Sequence, residues 1–416
     1  MALVKEDSEL DRSFLEAIYT GNNPDELSSP AGSNSSLCTL SAQYPSARRQ
    51  AKTLRAISSA HELCLTMKGL LIVLPAIFGI TLAAPATCTP ERALVRKEWR
   101  ELGYAERKDY IDALWCLRDR PPILPSEEFP GVRDRWDDFV ATHINYTNNI
   151  HFNGLLLPWH RHFVYLWEMA LREECGYKGS VPYWNWALDT ENLAESPLFD
   201  GSSTSLSSNG AYNPNEPMPC TPGGTCFPRG TGGGCVESGP FKDLQIHMGP
   251  FNSSLAQSYG SLPVNVWDYN PRCLYRSLNQ PLLAALNNQT RIDQMQASTN
   301  IRDWLSVMSP SNPDLTSSHG GGHGGVGGAM ADFFASPQDP SFMLHHAFID
   351  KLWAQWQDQD PETRRYAVNG TTVIYDPPGA PVVTLDTLVE FGELCHPRKV
   401  EKVMHPLRNG YCYTYT

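Results

Sequence analysis

Several signals are missing from this 416-residue chain, and each absence removes a class of function. No basic patch with interleaved aromatics is present, which argues against a nucleic-acid partner. Lys and Arg number 33 against 45 Asp and Glu, a net charge of −12 that reads as an acidic, soluble surface. No CxxC pair occurs, so zinc-ribbon and thioredoxin-type readings fall away. No tandem repeat points to a solenoid. The HGGGH run at His319–His323 lacks the Glu that a zinc protease needs after its first histidine, because Gly320 stands there.

One apolar run exists, within MKGLLIVLPAIFGITLAAPA at 67–86. It is short for a membrane span and is interrupted by Pro75. A lysine, an apolar stretch and small residues from Ala83 to Ala86 have the order of a secretory signal peptide. Residues 1–66 are a polar, Ser-rich leader, and their position before such a signal suggests a start at Met67 and a gene-model artefact upstream. The rival is a signal anchor with a short cytoplasmic tail. The expectation is a secreted domain over 87–416, with no stable membrane association after signal removal. Nine cysteines follow the signal, from Cys88 to Cys412, so at most four disulfides and one remaining cysteine are expected. Sequons at Asn145, Asn252, Asn288 and Asn369 agree with secretion.

The remaining pattern predicts a mainly α fold with long disulfide-tied loops and a few short strands. Residues 91–118 read as helical, closed by Pro121 and Pro122. Trp136, Phe139, Val140 and His143 recur at helical spacing, which turns His143 inward. Pro158 suits the first turn of a helix running to about Cys175, before Gly176. Residues 201–240 read as loop tied down by three cysteines, and 278–308 as helical. Glycines at 320–328 predict a short turn rather than a stable helix. Asp339 and Pro340 suit a helix start running to about Gln357. The tail, with TTVIYD and VVTL, reads as short strands and loop. His160 and His346 are each followed, six and seven residues on, by Leu-Trp (Leu166-Trp167 and Leu352-Trp353), which suits two inward-facing helices of a four-helix bundle.

Six of the twelve histidines fall in two sets. The first is His143, His151 and His160; the second is His319, His323 and His346. Three neutral imidazoles around one ion leave a coordination position open for chemistry. No carboxylate lies within the His143–His160 or His319–His323 stretches, which weakens iron, and all-nitrogen ligation at two sites favours copper. Asp350, four residues past His346, is placed to accept a proton from that ring.

Here the residues carry a resemblance. PWHRHF at Pro158–Phe163, PYWNW at Pro182–Trp186, H-x3-H at His319–His323 and DPSFMLHHAFIDKLW at Asp339–Trp353 resemble the tyrosinase and polyphenol oxidase family, most nearly its short secreted fungal members, over roughly 90–416. The resemblance implies a four-helix bundle holding two copper ions, one on each histidine set, with O2 as co-substrate and a small phenol as substrate. His345 is implied not to be a ligand. The implied reaction is oxidation of o-diphenols, with o-aminophenols as further candidates, to o-quinones. The alternatives are a true tyrosinase that hydroxylates monophenols and a haemocyanin-like oxygen carrier. Three departures favour the diphenol reaction. Asn149 replaces the cysteine that many members link to the middle ligand of the first set. Gly320 replaces the Asn associated with monophenol hydroxylation. Phe333, ten past His323, is a bulky residue implied to crowd the metal.

Overall fold

The computed structural model describes residues 88–220, 226–251, 262–312 and 316–416. The expected leader and signal segment, 1–86, lie outside these residues. Among the described residues no helix is long and apolar enough to cross a membrane.

Among the described residues, the longer helices are α1 Tyr104–Arg118, α2 Arg135–Ile150, α3 Leu156–Glu174, α4 Gln280–Leu286, α5 Gln289–Gln296, α6 Ile301–Met308, α7 Ser318–Val326 and α8 Phe342–Gln359. Helices α2, α3, α7 and α8 form the bundle that carries the histidines. α3 packs on α8, α2 on α3 and α7 on α8. Their adhesion is aromatic: Trp167 meets Trp136 edge-on at 5.2 Å and Phe139 at 4.9 Å, all three fully buried. Trp353, the expected counterpart of Trp167, instead lies under the Arg161 guanidinium at 3.8 Å.

The structure corrects several expectations. The first helix starts at Tyr104, not near 91, because Leu94–Arg96 (β1) is drawn into a parallel pair with the C-terminal strand Tyr413–Tyr415. The 278–308 stretch is three short helices, because Asn288 and Asn300 turn their side chains onto backbone N–H groups and start α5 and α6. The last long helix starts at Phe342, because Asp339 is bound to the Arg276 guanidinium and to the Ser341 N–H and hydroxyl. TTVIYD and VVTL form no strands; the tail pairs through Leu388–Val389 with Arg398–Lys399 and through Tyr413–Tyr415.

The glycine-rich segment is also helical. Its conformational cost is offset by close packing that only glycine permits. A Cβ on Gly321 would lie 2.1 Å from Asn287 Oδ1, and one on Gly322 would lie 2.2 Å from the His345 ring. Ser317 caps this helix by accepting the Gly320 N–H at 2.9 Å. The 201–240 stretch, expected to be loop, holds a short antiparallel pair, Gly210–Tyr212 with Gly233–Val236, and is tied as expected by Cys220–Cys226 and Cys235–Cys273. Cys116–Cys175 joins α1 to the end of α3, and Cys88–Cys412 links the segment before β1 to the segment before its partner strand. Cys395 is disulfide-bonded as well, so among the described residues no cysteine is left over, contrary to the expectation of one remaining thiol after Cys88.

Candidate metal centre

The six histidines meet at the centre of the bundle. His143 comes from α2, His151 caps its C-terminus, and His160 sits one turn into α3. His319 and His323 lie one turn apart on α7, and His346 lies in the second turn of α8. Ring centres within the first set are 5.1 to 5.7 Å apart, and within the second 4.8 to 5.6 Å. The two sets touch: His160 stacks on His346 at 4.0 Å, and His151 on His319 at 5.7 Å. Within each set the candidate ligand nitrogens fall within 4.8 Å of one another.

Backbone carbonyls fix how four of these rings are protonated. Nδ1 of His143 lies 2.7 Å from the Phe334 carbonyl, His151 2.9 Å from Thr147, His160 2.8 Å from Leu156 and His323 2.7 Å from Met330. A carbonyl oxygen can only accept, so each Nδ1 carries the hydrogen and each Nε2 presents a lone pair. Nε2 of His143, His160 and His346 is buried without a hydrogen-bond partner. Orphaned buried nitrogens are costly unless something fills them. Burial also pushes the histidine pKa values down, to about 3 for His151 and about 4 for His323, so the rings are neutral at pH 7. Converging neutral donors with free lone pairs fit transition-metal ions.

A seventh imidazole, His345, stands beside the second set. Its protonation is opposite. The Trp186 indole N–H donates to Nδ1 of His345 at 3.0 Å, so the hydrogen of the neutral ring is on Nε2.

The profile described as "Common central domain of tyrosinase" matches residues 133–359, a span that includes all seven of these histidines. The chain belongs to the tyrosinase family. It is 50% identical over 341 residues to Tyrosinase P of Aspergillus terreus, covering 80% of this chain and 94% of that one. It is 47% identical over 360 residues to the N-acetyl-6-hydroxytryptophan oxidase ivoB of Emericella nidulans, covering 83% and 98%. Among solved structures, a single-site mutant of a polyphenol oxidase from Thermothelomyces thermophila superposes with a TM-score of 0.73 at 33% identity, covering 79% of this chain and 90% of that one. The protein is therefore an oxidase of this family, and the family implies a dinuclear copper site.

Around that centre the structure reassigns one expected contact. Asp350 does not reach His346, whose two ring nitrogens are both without hydrogen-bond partners. Its carboxylate instead takes the Arg161 guanidinium on one oxygen and the hydroxyls of Tyr413 and Tyr415, at 2.7 and 2.6 Å, on the other. Arg96 approaches the same carboxylate at 3.5 Å and also binds Glu168. Burial alone would raise the Asp350 pKa, yet the two guanidiniums and the tyrosine hydroxyls hold it below the ordinary range. Sequence spacing could not find these partners, because Arg161 and the tyrosines lie far away along the chain.

Phe333 stands 5.0 Å from the His151 ring, against the first set rather than the second. Gly320 is exposed on α7, one residue past His319. His162 faces away from the centre, as its spacing from His160 implies, and meets the Tyr411 hydroxyl at 2.5 Å. A further cluster, Asp134, Asp137 and His247, went unnoticed in the sequence. It already contains a cation: one Arg118 nitrogen lies 3.2 Å from each carboxylate.

Proposed function

We propose that the protein is a secreted copper oxidase that uses O2 to convert o-diphenols to o-quinones, with o-aminophenols, which would give o-quinone imines, as further candidates. In this reading His143, His151 and His160 hold one copper, and His319, His323 and His346 the other. The carrying observation is the convergence of the six rings with the buried Nε2 atoms of His143, His160 and His346 left without partners, those of His143 and His160 aimed inward by backbone carbonyls that hold Nδ1–H. Bound copper would supply the two-electron redox couple that passes electrons from the diol to O2.

The chain's own residues do the rest. Backbone carbonyls keep four of the six imidazoles in one tautomer, so loading the metals requires little rearrangement of those rings. Burial keeps the rings unprotonated across the neutral range. Phe333 offers an apolar face beside His151 for a substrate ring. Gly320 provides no side chain to assist removal of a phenol proton, which supports the diphenol over the monophenol reaction. The disulfides and sequons support secretion.

A second reading keeps the same centre with a monophenolic substrate. The Emericella nidulans relative is named for N-acetyl-6-hydroxytryptophan, whose ring carries one hydroxyl. The test is oxygen uptake by copper-loaded protein on paired mono- and diphenols, with o-aminophenol included. Prompt uptake on the diphenol, and none on the monophenol without a diphenol primer, is expected. Prompt unprimed uptake on the monophenol would overturn the diphenol reading.

A further inference from the structure

A polar cavity of about 160 Å³ lies between α6 and the segment 369–383. Its walls include Arg302, Ser306 and Ser309 on one side and Asn153, Asn369 and Asp376 on the other. Spaced by four and then three residues, Arg302, Ser306 and Ser309 share one face of α6 and the residue that ends it. Arg302 and Ser306 are exposed, so the cavity opens to solvent. It is small beside the roughly 300–1,000 Å³ of sites that take a whole small-molecule ligand, and it suits one ring-sized group.

The lining selects hydroxyls rather than an ion. Arg302 and Asp376 contribute one charge of each sign. The Arg302 guanidinium makes one long contact, from Nε to Asn369 Oδ1 at 3.5 Å. One Asp376 oxygen takes the Thr371 N–H and hydroxyl, at 2.6 and 2.9 Å, and the other has no hydrogen-bond partner among the described residues. Ser309 is 6% exposed, and its Oγ is buried without a partner. Buried hydroxyls are rarely left so. Free donors and acceptors around a space of no net charge match a neutral, hydroxyl-rich group.

The chain can supply such a group at the cavity itself. Asn369-Gly370-Thr371 is a sequon, and Asn369 is half-buried in the wall. Its Oδ1 accepts from Arg302, and its Nδ2 has no hydrogen-bond partner among the described residues. Asn288, in another sequon, is used at both ends: Oδ1 accepts the Arg291 N–H and Nδ2 donates to the Ala284 carbonyl.

We propose that Asn369 carries an N-linked glycan whose first N-acetylglucosamine seats in this cavity and ties α6 to the segment 369–383. The inference rests on the secretory part of the reading above. The donor is a polyprenyl-diphosphate oligosaccharide of the secretory pathway. The bond from Asn369 Nδ2 to the sugar C1 forms, the C1–O bond to the diphosphate breaks, one amide proton is lost to solvent, and no electron is transferred. The seated sugar pairs its hydroxyls with Arg302, Asp376 and Ser309. The segment 369–383 is itself fastened to the turn after His151, by Gly154 N–H to Thr371 O and Tyr375 N–H to Phe152 O, both at 3.0 Å. The sugar thereby braces the turn that follows a proposed copper ligand.

The test uses the full chain secreted from a yeast, with peptide mass spectrometry for occupancy. Two glycosidases then separate a seated first sugar from an exposed one. Endoglycosidase H cuts beyond the first sugar, and peptide N-glycosidase F cuts between that sugar and Asn369. Occupied Asn369 is expected, trimmed by the first enzyme on folded protein but released by the second about tenfold more slowly than from denatured chain, as loss of a few hydrogen bonds requires. Arg302→Ala and Ser309→Ala should each speed release from folded protein severalfold. Asn369→Gln should melt about 2–4 °C below wild type trimmed to one sugar, while Asn145→Gln, exposed on α2, should melt with it. Unmodified Asn369 beside sugars at other sequons overturns the proposal, as does equal release from folded and denatured protein, or slow release untouched by both alanine variants. A chain that stays inside the cell and bears no sugar refutes the secretory reading itself, and the seat with it.

Discussion

The indole N–H of Trp186 donates to Nδ1 of His345, while His323, whose ring centre is 4.6 Å from that of His345, gives its own Nδ1–H to the Met330 carbonyl. Two neighbouring imidazoles are thereby held in opposite tautomers. Only the His323 type presents an Nε2 lone pair. Histidine 15N NMR of the copper-free protein should find the hydrogen on Nε2 of His345 and on Nδ1 of His143, His151, His160 and His323. Trp186→Phe should release His345 from its single tautomer and cost about 1–3 kcal/mol of stability through a buried nitrogen left unpaired. Nδ1–H on His345 in the wild type would remove the reason for leaving it out of the ligand set.

Helix α7 separates tolerated glycine replacements from forbidden ones. Gly322→Ala drives a methyl into the His345 ring, and Gly321→Ala into Asn287 and Leu286. Both should destabilise by several kcal/mol, as overpacking of a filled core does. At Gly324 a Cβ would meet only the flexible end of Leu282, at 3.1 Å. The helix-propensity gain of up to about 1 kcal/mol should leave Gly324→Ala near or above wild-type stability. Thermal unfolding of the three variants checks the order.

Asp350 binds the C-terminal strand to the two helices that carry His160 and His346. Asp350→Asn keeps the shape but leaves the Arg161 and Arg96 guanidiniums buried with less negative charge. The expected cost is about 3–5 kcal/mol, measured by urea unfolding. Tyr415→Phe removes one neutral hydroxyl from a charged acceptor and should cost about 1.5–3 kcal/mol. A loss for Asp350→Asn no larger than that for Tyr415→Phe would show that the carboxylate's charge does not hold this junction.

Acid should unfold the copper-free protein steeply. Burial depresses the pKa of nine histidines: His143, His151, His160, His162, His319, His323, His345, His346 and His405. The unfolded chain takes up protons below its ordinary value near 6.5 and the folded chain does not, so the stability they contribute is present above that pH and lost as pH falls. Each buried ring contributes up to about 1.4 kcal/mol per pH unit below it, and the partly exposed His405 less, through solvent screening. Six carboxylates oppose this. Burial raises Asp134 to about 7 and Asp138 to about 6, and moves Glu98, Glu173, Asp189 and Asp332 in the same direction, so the folded state holds their protons longer and gains as pH falls. The nine histidines outweigh the six carboxylates. Urea unfolding at pH 7.0 and 5.5 should show a loss of several kcal/mol, and equal stabilities would contradict the buried neutral rings.

Much of the centre was legible because it depends on short-range spacing. Trp136, Phe139, Val140 and His143 share a face in sequence and in space, and His319 and His323 lie one helical turn apart as their spacing requires. The clustering of the histidines along the chain supplied the two sets of three, and the resemblance supplied their assignment to two copper ions. What escaped the sequence depends on long-range closure. The pairing of Leu94–Arg96 with Tyr413–Tyr415 joins the two ends of the domain, and it determines both where α1 begins and which groups Asp350 binds. Propensity also misled at 320–328, where glycines that disfavour an isolated helix are what allow α7 to approach α4 and His345.

Copper stoichiometry tests the central arrangement most directly. Copper-free protein is reconstituted, passed through a desalting column and assayed for metal by mass spectrometry, with His143→Asn, His319→Asn and His345→Gln alongside. The expected result is two copper ions per chain in wild type and in His345→Gln, with retention falling below two in each of the other variants. Fewer than two in wild type, or full retention in His143→Asn and His319→Asn, would contradict a pair of three-histidine copper sites.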